Sequence, residues 1–147
     1  MMIEEYGYVV NVDGVVVKDD EYLFIERGEN EDHAAGLLAF PGGKVEQSPG
    51  GTETIEKTAA RELYEEVGVK VGDIEYICST TFEADDGTCC LNIVVLCEYV
   101  AGNAYPRAPD EVAAVHWLSY DEIKARTDVP EFIEHFIDRT EKARNSG

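Results

Sequence analysis

The amino-acid sequence predicts an α+β fold: a mixed, largely antiparallel sheet packed against a central helix and a C-terminal helix. Three observations carry that expectation. Short apolar runs separated by Asp- and Gly-containing turns occupy much of the chain, which is the pattern of strands. One long segment, residues 52–67, switches to helical spacing. Near the end, Ser119 and Asp128 each stand three residues ahead of a glutamate, the spacing of helix starts. No repeat, linker or low-complexity tract divides the 147 residues, which fit a single domain, 1–147.

In chain order, Tyr6, Tyr8 and Val10 share one side of an extended segment, and residues 15–18 and 22–26 flank Asp19-Asp20-Glu21 as a hairpin. Residues 28–33 read as a polar loop, and 37–40 as a short buried strand ending at Pro41-Gly42-Gly43. The helix at 52–67 takes Thr52 as its N-cap, carries glutamates in its first turn and stops at Gly68. Residues 74–84 and 88–100 form two long strands that turn at Asp85-Asp86-Gly87, where glycine tolerates positive φ. The second strand is mostly apolar on both faces, Cys90, Asn92, Val94 and Leu96 against Leu91, Ile93, Val95 and Cys97, so it belongs inside the sheet. A polar loop, 102–110, leads to a strand at 112–118. The capping-box spacings at Ser119 and Asp128 then open a short helix and a longer one, which packs through Phe132, Ile133, Phe136 and Ile137.

Twelve basic residues against 31 acidic ones give a formal net charge of −19, while 44% of the residues are hydrophobic. That is a folded chain with an acidic surface. The excess suits general solubility or a high-salt cytoplasm. Polymeric nucleic acid and anionic membranes are not expected partners, because counterion release needs a basic surface. A small phosphate-bearing ligand remains compatible, since a divalent cation or one arginine reverses the sign of a pocket locally. No basic segment precedes an apolar run at the N-terminus and no apolar run approaches membrane length, so a cytoplasmic protein is expected. Cys78, Cys89, Cys90 and Cys97 lack CxxC spacing and read as buried reduced thiols, not zinc ligands. Self-association into a homodimer is left open.

The chemistry concentrates between Pro41 and Val69. On a helix, Ala59, Ala60, Leu63, Tyr64 and Val67 take one side, and Glu62, Glu65 and Glu66 fall within an arc of roughly 100° on another. Glu62 and Glu66 repel each other at i and i+4 unless a cation lies between them. Doubled carboxylates are what Mg²⁺ or Mn²⁺ requires, and Arg61 can pair with Glu65 four residues on. A solvated acidic face is the plain alternative. Gly42 and Gly43 permit a close approach of backbone to the carboxylates, and the two features together describe a divalent metal site suited to pyrophosphate.

The segment Gly43, Glu53, Arg61-Glu62-Leu63-Tyr64-Glu65-Glu66-Val67-Gly68-Val69 resembles the Nudix box, the signature of the Nudix hydrolases. It departs from the family pattern at one place: nine residues, not five, separate Gly43 from Glu53, the excess falling in Gln47-Ser48-Pro49-Gly50-Gly51. Such a turn-rich string can bulge from the surface.

The resemblance implies an α/β/α sandwich and metal-dependent hydrolysis of a nucleoside diphosphate-linked substrate, a small nucleotide. It implies Glu62, Glu65 and Glu66 as metal-binding and water-activating carboxylates, with the Gly43 carbonyl as a further ligand and Arg61 orienting a glutamate. Glu53, about 13 Å along the helix from Glu62, is implied to be a structural, loop-bracing residue. Glu111 is the candidate carboxylate from outside the box, ahead of Asp110 and Glu83. The expected cofactor is Mg²⁺, with Mn²⁺ as the alternative. His33 and His116 could touch substrate, although a loop histidine and a packed one are the plainer readings, and Trp117 reads as core. The places where family members acting on ADP-ribose or diadenosine polyphosphates carry a proline or tyrosine hold Asp85, Asp86 and Gly87, and the SQPWPFPxS string of NADH hydrolases is absent. The lean is toward nucleoside triphosphates, intact or oxidised. The alternatives are ADP-ribose or a nucleotide sugar as substrate, or a nucleotide-binding regulator without hydrolysis.

Overall fold

The computed structural model of the protein describes residues 3–28 and 36–146. A short helix, α1 (Ile3–Tyr6), leads into strands β1 (Val9–Lys18) and β2 (Glu21–Arg27). There follow β3 (Leu38–Ala39), β4 (Gly42–Lys44), α2 (Thr54–Val67), β5 (Lys70–Glu83), β6 (Cys89–Ala101), β7 (Val112–Ser119), α3 (Tyr120–Ala125) and α4 (Glu131–Ser146). One sheet has the order β3-β2-β1-β6-β5, with β4 paired to β1 and β7 to β2. Among the described residues, β1 and β6 run parallel and the other pairings are antiparallel. β6 therefore lies between β1 and β5, which accounts for its two apolar faces.

Helices cover both sides. On one, α2 buries Ala59, Leu63 and Val67 against Val12, Val16, Val95 and Cys97. On the other, Ile123 of α3 and Ile133, Phe136 and Ile137 of α4 pack on Val15, Phe24 and Val94. The result is the α/β/α sandwich that the sequence implies. Among the described residues, no helix is long and apolar enough to cross a membrane.

Local departures have physical reasons. Tyr6 closes α1 and Tyr8 precedes β1, both exposed, because the extended conformation begins only where Val9 meets Cys90 of β6. The hairpin turn is Asp19 and Asp20 alone, with φ of 53° and 61°, and Glu21 already pairs with Lys18; two left-handed residues match the twist of a two-residue loop. α2 starts after Glu53, not Thr52: the left-handed backbone of Glu53 (φ 52°) occupies the N-cap, and no side chain caps the helix. Asp128 does not cap α4, since its carboxylate takes two hydrogen bonds from Arg126. Phe132 is exposed, edge-on to Phe136, because the inward stripe of α4 is filled by Ile133, Phe136 and Ile137. Cys89 is exposed, whereas Cys78, Cys90 and Cys97 are buried free thiols. The inserted string forms a turn in which the Gly51 N–H donates to the Ser48 carbonyl at 2.9 Å. Pro49 and Gly50 are its central residues, and Gly50 has φ 85°, the pattern of a type II turn. Residues 29–33 of the expected polar loop, His33 included, lie outside the described residues.

Candidate active site

The buried stripe of α2 runs through Thr58, Ala59, Leu63, Glu66 and Val67, so a carboxylate sits where the helix meets the sheet. Tyr64, expected on that stripe, instead faces out under the Arg107 guanidinium, 4.6 Å from its ring. The three glutamates differ in depth. Glu66 is 4% exposed, the Glu62 side chain 14% and that of Glu65 53%.

β4 brings the glycine pair against them. A Cβ on Gly43 would meet the Glu62 carboxylate and push it aside, so glycine lets the carboxylate lie against the strand. Gly42 adds a backbone hydrogen bond to Glu66. Arg61 Nη1 lies 3.1 Å from Glu62 Oε1, 3.5 Å from Glu65 Oε2 and 3.4 Å from Glu46 Oε1. One guanidinium thus gathers three carboxylates where spacing suggested one.

The loop after β6 fastens the far end of α2. The N–H groups of Tyr105 and Arg107 donate to the carbonyls of Val67 and Glu66 at 3.1 and 2.9 Å, satisfying groups that a helix end leaves unpaired. Arg107 also reaches the Glu65 carbonyl at 3.4 Å. This strap ends at Glu111, whose charge acts on Glu66. In the sequence this strap is only the polar loop 102–110.

Glu53 stands at the start of α2 with its backbone turning the chain, and Glu83 ends β5. Asp110 sets its carbonyl against Gly28. His116 Nε2 is 3.8 Å from Glu26 Oε1, and Trp117 packs into the core beneath α2.

Burial first, then the hydrogen bond and charge of Glu62, then the charge of Glu111, hold the Glu66 carboxyl far above the ordinary carboxylate range, with the Gly42 bond opposing. The Glu62 and Glu66 carboxyls lie within hydrogen-bond reach of each other. A divalent cation fits that place by chemistry: all the donors are oxygens, and two are crowded carboxylates. Among the described residues, no three acidic, histidine or cysteine groups already converge as a ligand set, and Arg61 engages Glu62 and Glu65 meanwhile.

A NUDIX domain model matches residues 7–140. The MutT-like protein of Streptomyces ambofaciens is 34% identical over 118 residues, 80% of this chain and 68% of that protein. The NAD-capped RNA hydrolase NudC of Pseudomonas aeruginosa is 34% identical over 133 residues, 90% of this chain and 44% of its own length. The chain spans only 40% to 45% of the length of several such relatives. Among solved structures, the MutT protein of Methanosarcina mazei Go1 superposes with a TM-score of 0.78 at 25% identity, covering 93% of this chain and 95% of that one.

Proposed function

The chain belongs to the Nudix hydrolase family, and on that premise we propose that it hydrolyses the phosphoanhydride bond of a small nucleoside diphosphate-linked substrate. Nucleoside triphosphates, intact or oxidised, are the favoured class, giving monophosphate and pyrophosphate. The observation that carries this reading is Glu66, a carboxylate 4% exposed and set beside Glu62. Such a pair weakens a fold, and an apolar residue would serve stability better.

Mg²⁺ or Mn²⁺, when bound, would neutralise charge along the phosphates and lower the pKa of a bound water. Glu62 and Glu66 would hold that cation, and Glu65, Glu111 and the Gly43 carbonyl would extend the donor set. Arg61 positions Glu62 and Glu65. A glutamate of the group accepts the proton of the attacking water. Glu53 is structural, holding the backbone where α2 starts.

Support for triphosphates comes from what stands outside the box: Asp85, Asp86 and Gly87 replace the residues of other substrate classes. The charge of −19 disfavours long RNA, although the Pseudomonas relative's name makes capped RNA a necessary comparison. The test is turnover of nucleoside triphosphates, 8-oxo-dGTP, ADP-ribose, a nucleotide sugar and NAD-capped RNA, each with Mg²⁺ and Mn²⁺, read by chromatographic separation of the monophosphate products. Highest kcat/KM on a triphosphate is expected. Preference for ADP-ribose or capped RNA would reassign the substrate, and tight nucleotide binding without turnover would overturn hydrolysis.

The inserted turn provides a second check. Deleting residues 47–50 should leave the melting temperature nearly unchanged and shift KM more than kcat, because the turn is exposed and carries none of the carboxylates. A folded but inactive deletion variant would give the turn a part in catalysis.

A further inference from the structure

The sheet face turned away from α2 carries a polar row that neither the core nor the carboxylate site uses. Asn11 of β1 pairs with Asn92 of β6 and with Lys44 of β4, and Asn92 pairs with Thr80 of β5. Registered partners share a face, so these side chains cross four strands in one line. Asp13 follows on β1, opposite Gly42.

The hydrogen bonds give the row a direction. Asn11 Nδ2 donates to Asp13 Oδ1 at 3.0 Å and to Asn92 Oδ1 at 2.7 Å. Asn92 Nδ2 donates to Asp13 Oδ2 at 3.0 Å. Asn92 is 5% exposed, while Asn11 and Asp13 are half-buried. The amides thus hold the carboxylate plane from two sides and leave each oxygen able to accept again. Burial pushes the Asp13 carboxyl up to about 6, against the pull of both amides. A carboxylate and two amides on a strand face contribute less to stability than apolar residues of the same size, so ligand recognition is their better explanation.

Position agrees with this. Gly42 pairs with Asp13 and Gly43 backs onto Glu62, so adjacent residues of β4 join the polar row to the carboxylate site. In the next row, Phe82 and Cys90 face the same way, and Phe82 is exposed enough to lie against a ring.

We infer that Asp13, positioned by Asn11 and Asn92, selects the base of the substrate by accepting two adjacent N–H donors, the edge that guanine presents through N1 and its exocyclic amine. Adenine, cytosine and uracil each offer one donor there and leave a carboxylate oxygen unpaired, which a buried site penalises. The inference rests on the proposed nucleotide hydrolysis and narrows its substrate.

Equilibrium binding of GMP and AMP in Mg²⁺ tests it without turnover, since neither has an anhydride to cut. Wild type should prefer GMP by about tenfold or more. Asp13→Asn, of equal size, should lose most of that preference by weakening GMP while leaving AMP nearly unchanged. Should that variant not fold, Asn11→Ser removes one positioning amide and should reduce the preference in the same direction. Equal binding of the two by wild type, or a preference that survives in a folded Asp13→Asn or Asn11→Ser protein, overturns the inference. Base-blind hydrolysis of triphosphates would overturn it alone, whereas GMP-selective binding without any hydrolysis would sustain it and overturn the proposed activity.

Discussion

Glu66→Gln should lower turnover by about 10³-fold or more while leaving the protein at least as stable as wild type. Glutamine keeps the size of the side chain and an acceptor for the Gly42 bond, so packing against Leu63 and Val67 need not change. It removes the one buried ionisable group of α2, and with it the strongest reason for a cation to sit between Glu62 and Glu66. Loss of catalysis with gain or retention of stability separates a metal-holding carboxylate from a structural one, because removing a structural buried group destabilises. Steady-state release of pyrophosphate and a denaturant midpoint, measured on the same preparation, check both halves. A variant that keeps more than a tenth of wild-type turnover would sink the assignment, and one that loses stability along with activity would return Glu66 to the fold.

The arc of Glu62, Glu65 and Glu66 was legible because helical spacing alone places residues around an axis. Their depth was not. Spacing says which residues share a side but not how close the sheet approaches, and β4 is three residues long with two glycines, too short to show any period. Glu66 therefore looked equivalent to Glu65 although one is buried and the other half exposed. The long β5–β6 hairpin, the stop at Gly68 and the start of α3 at Ser119 depend on local turn and cap chemistry, and these are visible, whereas the cap expected of Asp128 for α4 does not form. The strap that brings Glu111 toward Glu66 depends on backbone bonds to the end of α2 across about 40 residues, for which composition gives no sign. Asn11, Asp13 and Asn92 escaped notice for the same reason: they meet only through parallel pairing of strands 81 residues apart, and each alone looks like an ordinary polar residue on a strand.

The metal-free protein should lose stability as pH rises from about 5 toward 9, and Glu66→Gln should lose less. In the folded state the Glu66 carboxyl titrates far above its ordinary value, through burial and then the neighbouring Glu62. Between the unfolded value near 4.3 and the raised folded value, the native state holds a proton that the unfolded chain has released. More protons bound in the native state means that unfolding becomes easier with each step up in pH. One such proton contributes up to about 1.4 kcal/mol per pH unit, or roughly 3–5 °C in melting temperature for a chain of this size. The remaining charge of −19 adds its own slope, so the informative quantity is the difference between wild type and Glu66→Gln at constant ionic strength. Mg²⁺ must displace that same proton to occupy the site, so the rise in melting temperature on adding it should grow with pH in wild type and stay small in the variant. Calorimetric scans of both proteins in chelator and in saturating Mg²⁺ across this range decide the matter. Parallel pH slopes for the two proteins, or a Mg²⁺ increment independent of pH, would mean that Glu66 keeps no proton in the folded state and that the cation is held elsewhere.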